Sequence, residues 1–286
     1  MISVLISDCD CMCGPPHILG TIFSQMQFGL ATLRFGPFSH WKLLMKYALT
    51  VAICSLVSHA AIQAADVPPA KLMIGSLPAA KVLFLGNSIT LHGPAPGIGW
   101  NGNWGMAASV KEKDYVHLLT ADIAKAAGSQ PETMVRNIAS FERGYDIFDI
   151  EKEFKEELSF NADVVIVAIG ENVSEPVTDE ARANFAAAFA RLLAALKQHG
   201  PPAIFVRSSF WPNETKDGLM RKASADAGIT FVDIAKLGRD KENAASAERK
   251  IEHAGVAAHP GDKGMGAIAD EIFIAIRRKA GTAAKP

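Results

Sequence analysis

Three polar side chains lie beside turns of the chain, two of them after apolar runs and one before a helical pattern. In the stretch KVLFLGNSITLHGP, Ser88 directly follows an apolar run of strand length. Asn172 follows a second such run, and His259 precedes the last helical pattern of the chain. Ester hydrolysis needs a nucleophile, a base that takes its proton, and a donor for the oxyanion, and these residue types can supply all three. Each residue alone is equally well explained by turn geometry.

Strand and helix patterns alternate from residue 80 onwards. Apolar runs bounded by turn residues predict five buried parallel strands, at Val82–Leu85, Met134–Ile138, Val164–Ile169, Ile204–Val206 and Ile229–Ile234. The 3.6-residue period predicts helices at Tyr115–Ala127, Asp149–Leu158, Asp179–Lys197, Asn213–Ala227 and Gly261–Lys279. The alternation predicts one three-layer α/β/α domain with a five-stranded parallel sheet. Functional groups of such folds gather at the carboxyl ends of the strands, so the three polar residues should converge there.

These segments, in this order, resemble the motifs of the SGNH hydrolases, also called the GDSL esterase and lipase superfamily. FLGNSIT resembles the nucleophile block, IGEN the Gly-x-Asn block, and HPGDKGM the block of the catalytic histidine. The resemblance covers roughly residues 80–279 and implies a flavodoxin-like SGNH hydrolase fold. It implies a carboxylic ester hydrolase in which Ser88 is the nucleophile and His259 the base. The Asn172 amide and the Ser88 N–H are then the oxyanion donors, and no metal or organic cofactor is needed.

The partner of the histidine departs from the family pattern. The family usually has an aspartate three residues before this histidine, and here that position is Val256. We therefore expect Glu252, Asp233 or a backbone carbonyl to orient His259, or else a serine–histidine dyad with no third member.

The glycine of the second block, which supplies a further oxyanion N–H in the family, is also not clearly present. Counting from Asn137 places Glu142 near this position, and Gly144 is the next candidate. An acidic side chain at this position would disfavour an anionic substrate.

The loop from His92 to Met106 follows the nucleophile directly and is rich in glycine, proline and tryptophan. Long loops without regular structure often bind ligands, and tryptophans beside amides suit the faces and hydroxyls of sugars. Ordinary loop packing explains the same residues equally well. The predicted substrate-binding residues are Asn87, Trp100, Trp104, Glu171 and Trp211.

The N-terminal segment has the pattern of a targeting signal. Met45 is followed by a lysine, an apolar run at Ala48–Val57 and small residues, which predicts cleavage near Ala64. The run is shorter than the ~20 residues of a membrane span. We expect a periplasmic or secreted protein without a membrane anchor, divided into a mis-called or disordered extension (1–44), a signal peptide (45–64), a linker (65–79) and the hydrolase domain (80–286).

Charge and cysteine content exclude several classes of partner. The formal net charge is −1 and basic runs are absent, which excludes nucleic acid as the expected partner. The four cysteines are Cys9, Cys11, Cys13 and Cys54, so the predicted domain contains no thiolate metal site or disulfide. We expect no metal site in the CDCMC stretch, because no second cysteine pair follows it.

The sequence thus predicts a secreted serine esterase that removes acetyl or other short acyl groups from a carbohydrate. The reaction would pass through an acyl-serine intermediate. A non-catalytic carbohydrate-binding module on the same fold stays open because of Val256. A lipase or phospholipase of the same superfamily is another alternative. An anion cradle at Gly86-Asn87-Ser88 is disfavoured because no Walker-type lysine accompanies it.

Overall fold

A central parallel sheet organises the computed structural model, which describes residues 72–282. A small antiparallel hairpin, β1 (Met73–Ile74) and β2 (Leu77–Pro78), precedes it. The sheet contains β3 (Lys81–Gly86), β4 (Glu132–Asn137), β5 (Val164–Ala168), β6 (Ala203–Arg207) and β7 (Thr230–Val232). Its order is β4-β3-β5-β6-β7, the doubly wound flavodoxin-like order. The predicted fold class is confirmed, and each predicted strand overlaps an observed one.

The helices cover both faces of this sheet. The longer ones are α1 (Tyr115–Ala127), α5 (Asp179–Gln198), α6 (Glu214–Asp226) and α10 (Asp262–Lys279), all within one residue of the prediction. The shorter ones are α2 (Ala139–Gly144), α3 (Ile150–Glu153), α4 (Lys155–Ser159), α7 (Ala235–Arg239), α8 (Ala245–Glu248) and α9 (Ala254–Ala258). The single helix predicted at Asp149–Leu158 is two, because Phe154 leaves the helical backbone angles and packs its ring against Phe148.

Two apolar cores lie on opposite faces of the sheet because successive strand residues point to opposite sides. Val82 and Phe84 of β3 face the core that includes residues of α1 and α10. Leu83 and Leu85 face the core that includes the α5 side chains Phe185, Phe189 and Leu192. Burial on both faces explains why the strand sequences are apolar runs without alternation.

The β1–β2 hairpin lies within residues 65–79, which the sequence pattern predicts as a linker. Ile74 and Leu77 are buried in the core beside α10, so this part of the segment packs against the domain. Such short strands carry too few apolar residues for a recognisable pattern. The predictions for residues 1–44 and 45–64 fall outside the described residues. Within residues 72–282, no helix is both long and apolar enough to cross a membrane.

Candidate active site

Ser88 lies in a tight turn directly after β3. The Asn87 carbonyl accepts hydrogen bonds from the N–H groups of Thr90 and Leu91, at 2.9 Å each. Position 86 requires a glycine, because a Cβ there would clash with Oγ1 of Thr90 and lie 2.9 Å from the Ala168 carbonyl oxygen of the neighbouring strand β5. The turn leaves the Ser88 side chain partly exposed, with its Oγ 2.9 Å from Nε2 of His259.

The backbone of α9 holds the imidazole of His259. Its Nδ1 lies 2.7 Å from the Gly255 carbonyl oxygen. A carbonyl oxygen only accepts hydrogen bonds, so Nδ1 carries the proton and the lone pair of Nε2 faces the Ser88 hydroxyl. Of the alternatives for the third group, the structure contains the backbone carbonyl.

The two acidic candidates for the third group are placed elsewhere. Asp233 is exposed and forms an ion pair of 2.5 Å with Arg221. Glu252 is exposed and forms no hydrogen bond with His259, whose Nδ1 is already bonded to Gly255. The prediction of either as the orienting acid is wrong, because α9 turns its own carbonyl towards the ring.

The imidazole is a ready proton acceptor. Burial lowers the pKa of His259, and this effect outweighs the Gly255 hydrogen bond and the charge of Glu171, which act in the opposite direction. A lowered pKa keeps the ring neutral at neutral pH, which is the form that can take a proton from Ser88.

Asn172 is oriented by hydrogen bonds at both ends of its amide. Its Nδ2 donates to Oε2 of Glu142 at 2.8 Å, and its Oδ1 accepts from Nη2 of Arg143 at 2.9 Å. These contacts decide which end of the amide carries the nitrogen, and one N–H of Nδ2 stays available. Asn172, Ser88 and His259 line the same cavity. The Ser88 N–H donates to no acceptor within residues 72–282.

Glu142 lies beneath the site and does not face a substrate. It is fully buried, and its carboxylate accepts hydrogen bonds from the Gly170 N–H (2.7 Å), the Asn172 N–H (3.1 Å) and the side-chain amides of Asn172 and Asn87. Gly144, the other candidate for the glycine position, ends α2 and is not among the residues lining the cavity. Ala139, at the start of α2, lines it instead, and its N–H is bonded to Oδ1 of Asn137.

Glu171 and Asn87 are predicted to contact the substrate, but in the structure they form hydrogen bonds inside the protein. The Glu171 side chain is 3% exposed and accepts hydrogen bonds from Nη1 of Arg207 (2.7 Å), the Phe210 N–H (2.7 Å) and Nδ2 of Asn87 (2.6 Å). Asn87 is fully buried and bridges Glu171 to Glu142. Both predictions are wrong, because these polar groups satisfy one another below the surface.

The pKa values of the two buried carboxyl groups, Glu171 and Glu142, are shifted in opposite directions. Burial disfavours the charged form of Glu171, but the Arg207 charge and the hydrogen bonds outweigh it and hold the pKa of Glu171 below its usual value. Burial and the charge of Glu171 raise the pKa of Glu142. Arg207, itself fully buried, is therefore the cation that keeps this acidic pair inside the protein.

The tryptophans of the loop pack within the loop. Trp100 is 7% exposed, and its indole N–H donates to the His92 carbonyl at 3.0 Å. Trp104 contacts Trp100 edge to face and donates to the Ala108 carbonyl. Neither tryptophan lines the cavity around Ser88, so ordinary loop packing accounts for the buried Trp100, while a substrate contact of the partly exposed Trp104 stays a prediction. Trp211 is different: it is 37% exposed, with its ring 5.1 Å from the His259 ring.

The cavity around Ser88 and His259 has a volume of about 290 Å³. Larger surface grooves exist, including one of about 510 Å³ between α5 and α6 that is lined mainly by alanines and aliphatic parts of neighbouring residues, but that groove contains no nucleophile beside a base. Further residues that line the smaller cavity and were not predicted are His92, Ile98, Met106, Ala139, Arg143, His253 and Gly255. Of these, only His92, Ile98 and Met106 could have been suspected from the sequence, because they belong to the loop that follows the nucleophile.

No family model matches the chain, and no curated protein matches its sequence. Solved structures do resemble it. An acetyl xylan esterase is 19% identical, with a TM-score of 0.44 over 68% of this chain and 99% of that chain. A GDSL-like lipase from Bacteroides uniformis is 18% identical, with a TM-score of 0.46 over 70% of this chain and 97% of that chain.

An acetyl xylan esterase from the rumen bacterium Butyrivibrio proteoclasticus is 17% identical, with a TM-score of 0.42 over 71% of this chain and 64% of that chain. The neighbours' names agree with the SGNH resemblance predicted from the sequence motifs. At these identities and TM-scores, the likeness carries no argument about function, which has to be argued from the site itself.

The buried ion pair under the site yields a stability prediction. In Arg207→Met, Glu171 loses its cation, and we expect the free energy of unfolding at neutral pH to fall by about 3–5 kcal/mol. The Glu171 pKa is lowered in the native protein, so its stabilisation is complete above the unfolded pKa and is lost as the pH falls through the folded pKa. The deficit of the variant should therefore shrink at acid pH.

Urea denaturation of the natural sequence and the variant, from neutral to acid pH, measures the difference in the free energy of unfolding. The double variant Arg207→Met/Glu171→Gln is the control, because it removes the buried charge together with its partner and should recover part of the loss at neutral pH. An equal deficit at acid and neutral pH, with no recovery in the double variant, would contradict the role assigned to this ion pair.

Proposed function

We propose that this protein is a serine esterase that hydrolyses acetyl or other short acyl esters through an acyl-serine intermediate. One observation carries the proposal: the Ser88 hydroxyl lies 2.9 Å from Nε2 of His259, while Nδ1 of the same ring is held by the Gly255 carbonyl at 2.7 Å. A nucleophile bonded to a base that is itself oriented is the arrangement that acyl transfer requires.

In the first half of the reaction, Ser88 Oγ forms a bond to the carbonyl carbon of the ester as Nε2 of His259 takes its proton. The carbonyl oxygen becomes negative in the tetrahedral intermediate. The Ser88 N–H and one N–H of the Asn172 amide are the donors we assign to this oxygen. The intermediate then loses the alcohol, which receives the proton from His259, and the acyl group stays on Ser88.

Water completes the cycle by the same route. His259 takes a proton from the water as its oxygen bonds to the acyl carbon, and returns it to Ser88 Oγ when the acyl bond breaks. The Gly255 carbonyl keeps the proton on Nδ1 throughout, so it sets the tautomer as a triad aspartate would. It carries no full charge, so it stabilises the imidazolium less than a carboxylate would.

Cavity size favours a short acyl group over a long chain. The cavity of about 290 Å³ is at the lower end of the range of ligand pockets. Its apolar lining, which includes Ile98, Met106 and Val256, suits a methyl group. A lipase acting on long acyl chains is the less favoured alternative for this reason.

The proposal of a carbohydrate substrate rests on Trp211. Its exposed ring stands beside His259, where the alcohol part of an ester can stack on it. The non-catalytic carbohydrate-binding module remains the second candidate, which Trp211 alone would also support. The Ser88–His259 contact favours the enzyme. We further propose, from the signal-like pattern after Met45, that the protein is exported to the periplasm or secreted.

Removing the nucleophile should abolish activity. We expect Ser88→Ala to lower kcat/KM for p-nitrophenyl acetate by about 10⁴-fold or more, and His259→Ala to have an effect of similar size because the two residues act as a unit. Ser140→Ala is the matched control, since Ser140 is an exposed serine that does not line the cavity. Retained hydrolysis in Ser88→Ala would exclude this mechanism.

The pH profile should report the base. Burial lowers the pKa of His259, so the neutral ring persists at lower pH than for an ordinary histidine. Since only the neutral form accepts the Ser88 proton, kcat/KM should fall on the acid side with a midpoint below about 6.5. Steady-state rates with p-nitrophenyl acetate measure this midpoint. A midpoint above the ordinary histidine value, or no acid limb, would argue against His259 as the base.

A further inference from the structure

The cavity beside Ser88 has an asymmetric charge. Its lining contains one side chain with a permanent charge, Arg143, and the three histidines His92, His253 and His259. No aspartate or glutamate is among the described residues that line it. A cavity lined in this way attracts a negative group and offers no carboxylate to repel it.

Arg143 has binding capacity to spare. It is exposed on α2, and its Nη2 donates one hydrogen bond, to Oδ1 of Asn172 at 2.9 Å. Within residues 72–282 it takes part in no ion pair. A guanidinium has five N–H donors in a planar fork that matches a carboxylate, so four N–H groups are left for a ligand.

The acidic groups nearby are buried away from the cavity. The Glu142 carboxylate is covered by N–H donors of Asn87, Gly170 and Asn172, and Glu171 is paired with Arg207. From the sequence, the acidic side chain at position 142 is expected to disfavour an anionic substrate. The Glu142 side chain points into the protein, so the accessible charge at the site is the positive charge of the next residue, Arg143.

We propose that Arg143 binds a carboxylate carried by the substrate close to the scissile ester. This inference rests on the proposed function and specifies its substrate class as anionic esters. The carboxylate has two chemical sources: a uronate residue in the alcohol part, as in an acetylated acidic oligosaccharide, or the free end of a dicarboxylic acyl group. In both, the fork forms charge-assisted hydrogen bonds while its Asn172 contact stays in place.

Matched ester pairs test the proposal with the full chain. For the alcohol part, acetate release is compared between acetylated oligogalacturonides and the same oligosaccharides with methyl-esterified carboxyls. For the acyl part, p-nitrophenyl hemisuccinate is compared with its methyl ester. In at least one pair, the protein without substitutions should hydrolyse the anionic ester with a kcat/KM about tenfold higher than that for the neutral methyl ester. This is the size expected for a charge-assisted contact.

Two variants separate binding from positioning. Arg143→Gln removes the charge but keeps an amide donor for Oδ1 of Asn172, and should reduce the anionic-to-neutral ratio by about tenfold. Lys222→Gln removes an exposed charge on α6, outside the cavity lining, and should leave the ratio unchanged. If Arg143 only positions Asn172, Arg143→Gln lowers both rates equally and the ratio stays constant.

Each outcome decides the inference. A preference that is lost in Arg143→Gln and kept in Lys222→Gln supports it, and the pair in which it occurs identifies the source of the carboxylate. No preference in either pair, or a ratio that Arg143→Gln leaves unchanged, overturns it. Ser88→Ala keeps this failure distinct from failure of the proposed function: if this variant is inactive on all esters, the esterase stands whatever the charge preference.

Discussion

The buried ion pair between Arg207 and Glu171 is the interaction on which the rest of the site depends. Glu171 also binds the side chain of Asn87, the residue before the nucleophile, and Asn87 in turn contacts Glu142. A single network thus joins the ends of three neighbouring strands below the site. Because every carboxylate oxygen in it accepts an N–H, the strand ends have little freedom to shift relative to one another.

Because a backbone carbonyl orients the catalytic histidine, the position of this histidine depends on the helix that carries the carbonyl. A triad aspartate contributes both orientation and a full charge, whereas the Gly255 carbonyl contributes orientation and only a dipole. The position of His259 therefore depends on the short helix α9, whose backbone is set by packing of the buried Val256 against Met106 and neighbouring residues. The apolar residue at the family's aspartate position is a packing residue here, and the loop after the nucleophile supports the base from the other side.

The sequence predicted the sheet and the reacting pair, because both depend on local residue patterns. Apolar runs identify strands buried on both faces, and the resemblance of the motifs to those of the SGNH hydrolases paired Ser88 with His259. It failed for Glu171, Asn87 and Trp100 because residue type at a strand end does not reveal which side chains satisfy one another in the interior. The Gly255 carbonyl could not be predicted, since every residue has one and only the backbone path selects it.

Covalent labelling of the nucleophile is the most direct test of the central claim that Ser88 is activated by His259. The protein would be incubated with a fluorophosphonate, and the modified peptide located by mass spectrometry. Our account predicts one labelled residue, Ser88, with labelling slowed by orders of magnitude in His259→Ala. Labelling at another serine, or equal labelling of Ser88 with and without the imidazole, would contradict it.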